Sequence, residues 1–163
     1  MPELMKPNVR EKGPVSLLNA TFIGYMVGTY SVMGKGGAQA IANMAGEYVG
    51  REIVAYATSQ GKTLDSAPAL IAFLKENNLA GEFQFSGDDT QVQVVISDCG
   101  ICPKRVGKYQ FDGTACPWGG ILIGTLSAIL KQEFAVSAGL TPGASCTITL
   151  HVKSSSINQI QEV

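Results

Sequence analysis

The chain has 163 residues, 45% hydrophobic and only 15% charged, with a net charge of −1. That length fits a single domain able to bury a substantial core. The near-neutral balance supplies no field to draw in nucleic acid or anionic lipid, so neither is an expected partner.

The opening fourteen residues, "MPELMKPNVREKGP", form a polar arm without the apolar stretch of a signal peptide. The expectation is therefore a cytoplasmic protein with reduced thiols, which lowers the prior for disulfides. From residue 15 to 153 the sequence reads as one domain. Its first segment, "VSLLNATFIGYMVGTYSVMG", has Leu18, Phe22, Tyr25, Met26, Thr29 and Met33 at helical spacing and no charge. Asn19, Thr21, Thr29 and Ser31 dilute it, so a buried helix is expected rather than a membrane span. "GKGGAQ" matches no phosphate-binding loop, and its glycines are expected to break two helices. A second helix follows, with Ile41, Ala45, Tyr48, Val49, Ile53 and Tyr56 as its apolar stripe and Gly61 as its stop. A third begins near Asp65 and Ser66, residues suited to an N-cap, with Pro68 in its first turn.

Beyond Gly81 the period changes to two. Phe83 and Phe85, a "SGDDT" turn, then Val92, Val94 and Ile96 predict a hairpin. "PWGGILIGTLSAILKQEF" predicts a fourth helix, and strands near 134–138 and in "SCTITLHVK" predict a second hairpin closed at Pro142-Gly143. Residues 154–163 form a polar tail. Strands that pair as hairpins argue for an antiparallel sheet of about four strands packed by about four helices, an α+β fold.

The stretch "DCGICPKRVGKYQFDGTACPW" carries three of the four cysteines and the only tryptophan. Cys99, Cys102, Cys116 and Cys146 are the candidate ligands of a metal ion, zinc first, with an iron–sulfur cluster as the alternative. Structural thiols and a redox pair are the competing readings. In the last strand Cys146, Ile148, Leu150 and Val152 share one face, which sends His151 toward solvent and out of the ligand set. With a single histidine no triad and no helical His pair can be built, so binding rather than catalysis is expected.

"CGICPKRVGKYQFDGTACPWGGILIGTLSAIL", through Cys99, Cys102-Pro103, Cys116-Pro117, Gly120 and Gly124, together with Cys146 and "GKGGAQAIANMAGEYVGREI", resembles the 4-vinyl reductase family of hydrocarbon-binding domains. That resemblance implies a ligand-binding fold shared with TRAPP subunits and haem nitric-oxide sensors: an antiparallel sheet packed by helices around an apolar cavity, often dimeric. It implies zinc beside the pocket, with Cys116 and Cys146 matching two of the family's ligands. The family's acidic ligand and closely following cysteine have no counterpart here, and Cys99 and Cys102 are the candidates for those places. The function expected is binding or sensing of a small hydrophobic molecule, with Phe22, Tyr25, Met26 and Trp118 as pocket residues and a homodimer as the assembly. A reductase or electron carrier and a dimeric protein-interaction module are the alternatives.

Overall fold

A computed structural model describes residues 5–7, 17–77, 80–88, 90–99, 105–106, 109–111, 115–137 and 145–153. In chain order the elements are β1 (Met5–Pro7), α1 (Leu17–Ser59), α2 (Ala67–Glu76), β2 (Ala80–Gly87), β3 (Gln91–Cys99), β4 (Arg105–Val106), β5 (Tyr109–Phe111), α3 (Trp118–Leu130), β6 (Phe134–Val136) and β7 (Ser145–Val152). The main sheet is antiparallel throughout, in the order β2-β3-β7-β6, and a second three-stranded sheet has the order β1-β5-β4. The α+β expectation holds. The small sheet, which draws part of the polar N-terminal arm onto the hairpin downstream of Cys102, had no counterpart in the expectation.

Local chemistry explains most element ends. Ser66 caps α2 by accepting the Ala69 N–H at 3.4 Å, and proline occupies the first turn. α1 stops in a Schellman arrangement: Gly61, at φ 70°, donates to Thr58 O while Lys62 donates to Ala57 O. In the β2–β3 turn Asp88 Oδ1 accepts from Thr90 N, Thr90 Oγ1 and Gln91 N, at 2.8, 2.6 and 3.0 Å. Thr90, first by its hydroxyl and then by its backbone, holds the Asp88 carboxyl below its ordinary pKa. A depressed carboxyl contributes stability above its unfolded pKa and loses it as pH falls through the folded value. Asp88→Ala should therefore lower the melting temperature at neutral pH, with the gap to the parent closing as pH falls below about 4, so that the variant's acid limb is the flatter one. An unchanged acid limb would remove the turn from the account.

The core gathers on one face of the sheet. Register sets Val92 opposite Leu150, Val94 opposite Ile148 and Ile96 opposite Cys146. Val94, Ile96, Ile148 and Leu150 are all buried, packed with Leu70, Phe73 and Leu74 of α2 and with Trp118, Ile121, Leu122 and Leu126 of α3. Each such side chain contributes about 1.5–3 kcal/mol by leaving water. His151, on the opposite face, is exposed, with Nε2 2.6 Å from Ser137 Oγ.

α3 touches β6 and β7 on one side and α1 on the other. The α1–α3 crossing reverses one expectation. The stripe Ile41, Ala45, Tyr48, Val49, Ile53 and Tyr56 was to face the core; of these Ile53 packs against it and Tyr56 reaches Phe73 edge-on at 6.1 Å, while all but Ile53 are exposed. α1 buries its small residues instead: Ala38, Ala42, Gly46, Gly50 and Ala57. Gly46 and Gly50 meet Gly120 and Gly124 of α3 at main-chain distance. A Cβ placed on Gly50 would sit 2.3 Å from Ile121 O, and one on Gly124 would sit 2.2 Å from Glu47 O. Two glycines four residues apart on each helix let the backbones touch, an approach that also permits Cα–H···O contacts.

Candidate functional site

The site begins with one glycine. Gly34 has φ 68° and ψ −177°, a conformation essentially confined to glycine, and it divides α1 into two arms. In a straight helix Tyr25 and Ala45 would stand about 30 Å apart. Here both line one cavity, so the arm before Gly34 doubles back along the arm after it. Met26 and Tyr30 pack on Ala38, Ala42 and Ala115, whose small side chains leave the space between the arms incompletely filled.

Two hollows result. A small, half-open cavity of about 120 Å³ is lined by Tyr25, Met26, Thr29, Ala38, Ile41, Ala42, Ala45, Ala115 and Pro117. Adjoining it along Tyr25, Thr29 and Ile41 is an open groove of about 620 Å³, walled also by Thr21, Gly24, Gly28, Val32 and Met33. Among the described residues no charged side chain lines either hollow. Thr29 spends its hydroxyl proton on Tyr25 O at 2.8 Å, which leaves an apolar wall.

A polar clamp fixes the base of the cavity. Gln39 Nε2 donates to Cys116 O and to Asn43 Oδ1, each at 2.8 Å, while its Oε1 accepts the Cys116 N–H at 3.1 Å. The side-chain amide thus pairs with a peptide unit as a neighbouring strand would, pinning the chain between Ala115 and Pro117. Sequence reasoning missed Gln39, because its partners are main-chain atoms 77 positions away and no residue pattern marks them.

The expected site residues are distributed unevenly. Tyr25 and Met26 line the cavity. Phe22 lies on the same arm of α1, but its side chain is outside the described set. Trp118, expected at the pocket, lines neither hollow: it is 1% exposed and stacks edge-on against Phe83 at 5.4 Å, part of the core between α3 and the sheet. Cys116 and Cys146 are half-buried thiols. Cys102 lies outside the described residues, as does the side chain of Cys99. The Cys99 backbone ends β3 three residues beyond Ile96, the partner of Cys146, or about 10 Å along the strand. Among the described residues no three metal-ligating side chains come together.

Helices gathered on one face of a four-stranded antiparallel sheet, with an uncharged hollow between the arms of a doubled-back helix, define an α+β domain with an apolar inter-helix site. The chain belongs to the MJ0207 family, whose model matches residues 31–152. It is 39% identical over 138 residues to the uncharacterized protein MJ0207 of Methanocaldococcus jannaschii, covering 85% of this chain and 90% of that protein. It is also 30% identical over 50 residues to the uncharacterized protein MJ1342 of the same organism, covering 31% of this chain and 44% of the other. No helix among the described residues is long and apolar enough to cross a membrane.

Proposed function

We propose that this protein binds a small, neutral, hydrophobic molecule between the two arms of α1. The observation that carries the reading is the uncharged groove of about 620 Å³ opening beside the smaller cavity. Its size falls in the roughly 300–1,000 Å³ typical of small-molecule sites, which are likewise mostly apolar. A charged ligand would lose its hydration there without gaining a partner, a cost of several kcal/mol or more. A neutral one gains about 25 cal/mol for each Å² of apolar surface that leaves water. The resemblance to hydrocarbon-binding domains leads to the same reading from the sequence.

Titration with the neutral dye Nile red tests it. Ala42 is 8% exposed and lines the cavity, so Ala42→Leu adds three carbons into space already present. The variant should fold normally and bind the dye at least about tenfold more weakly, since each buried methylene is worth about 0.8 kcal/mol and the ligand loses that room. Equal affinity in parent and variant would sink the proposal. The cysteine-held zinc is a separable part of the reading. It predicts about one equivalent of zinc per chain after gel filtration, since a structural zinc binds tightly enough to survive that step. Metal-free protein that still binds the dye would remove the zinc and keep the hollow.

A further inference from the structure

Eight of the nine large hydrophobic side chains exposed among the described residues belong to α1. They are not scattered: Met44 at 71%, Tyr48 at 60% and Tyr56 at 54% run down the arm after Gly34, while Tyr25 at 74% and Val32 at 86% stand at the groove. Together the eight expose on the order of 900 Å², reckoned from these fractions and the size of such side chains. The largest apolar patch of an ordinary monomer covers about 300–600 Å². A stable dimer buries about 800 Å² on each partner. The groove itself is too open to retain a ligand alone, because small-molecule sites cover roughly 70–90% of what they bind.

We propose that a second copy of this chain covers the face, α1 against α1 about a two-fold axis near Met44, and that it closes the groove. This closing role rests on the proposed binding function; the interface does not. Antiparallel packing about that axis sets Met44 against its own symmetry mate. It sets Tyr48 of one copy over the exposed Ala40 of the other, a large side chain against a small one, and carries Tyr56 toward the Gly34 end of the other copy's arm, where the groove opens. Tyrosine and methionine are the residues enriched at the centre of such interfaces. The Glu47–Arg51 ion pair, at 2.5 Å, flanks the stripe as a polar rim.

Sedimentation velocity from micromolar to sub-millimolar concentration tests the interface on the full chain. Met44→Glu and Tyr48→Glu change exposed positions to a good helix former, so far-UV helicity should not alter. The parent should sediment as a dimer, and each variant should raise the dissociation constant at least about 100-fold, because Met44→Glu brings two new carboxylates together at the axis and Tyr48→Glu buries an unpaired carboxylate against Ala40. Nile red affinity should fall with the dimer. A parent that stays monomeric overturns the proposal, as does a variant that stays dimeric. So does a monomer that floats with neutral phosphatidylcholine vesicles, which would assign the face to lipid. A dimer broken by the glutamates whose parent binds no Nile red keeps the interface and overturns the closing role alone.

Discussion

Gly120→Ala is expected to cost about 3–5 kcal/mol and to lower the melting temperature by about 10 °C. The added Cβ would lie 1.9 Å from Asn43 O, 2.7 Å from Asn43 C and 2.8 Å from Asn43 Cα. All three are main-chain atoms of a packed helix, so no rotamer change relieves the overlap. The helices must part, and the loss spreads from one contact to the length of the crossing. Gly36→Ala is the control, since a Cβ there meets nothing within 4 Å; it should be neutral or stabilise by up to about 1 kcal/mol. Combining Gly120→Ala with Gly46→Ala should cost less than the sum of the two, because helices already separated no longer clash at the second position. A Gly120→Ala protein that melts with the parent would mean that α1 and α3 do not meet as described.

The same crossing shows which parts of the fold were legible. Gly61, Ser66, Pro68 and the Asp88 turn act on their own neighbours, and each could be read where it stands. So could Gly34, because a glycine cluster between two apolar helices announces a break whatever the tertiary setting. The face of α1 could not be read that way. Hydrophobicity ranks Ile41, Tyr48 and Tyr56 as core, but what α3 offers is a track of glycines. The tightest fit is therefore made by Gly46 and Gly50, which a hydrophobic pattern scores as blank. The pairing of Gly46 with Gly50 and of Gly120 with Gly124, four apart in both helices, was the available signal. Trp118 misled for a related reason. α3 is apolar on every side, so nothing in its sequence told the sheet side from the cavity side, and the tryptophan took the sheet side against Phe83.

Gln39→Glu should make stability depend on pH in a way that Gln39→Ala does not. Removing the amide altogether deletes its hydrogen bonds to the part-buried Cys116 N–H and C=O. That loss is worth about 2–3 kcal/mol, with no pH dependence beyond the parent's. A carboxylate at the same place can still accept the Cys116 N–H, but it turns lone pairs toward Cys116 O and Asn43 Oδ1, both now receiving hydrogen bonds from Nε2. The protonated carboxyl restores one donor. The neutral form is therefore favoured in the folded state, and the introduced group titrates above its ordinary value of about 4.3. For a pKa raised on folding, the stability is present below the unfolded value and is lost as pH rises through the folded one. The melting-temperature gap between parent and Gln39→Glu should accordingly be small near pH 4 and widen toward neutrality, while the gap for Gln39→Ala stays constant. A gap near zero for both would show that the clamp does not bear on stability, and a constant gap for Gln39→Glu would show that its carboxylate does not face Cys116 O and Asn43 Oδ1. Because Cys116 sits between Ala115 and Pro117, both of which line the cavity, the same pH rise should also weaken Nile red binding in the glutamate variant. Stability and affinity should then titrate together, as they must if one amide supports the packing of α1 and the wall of the binding site.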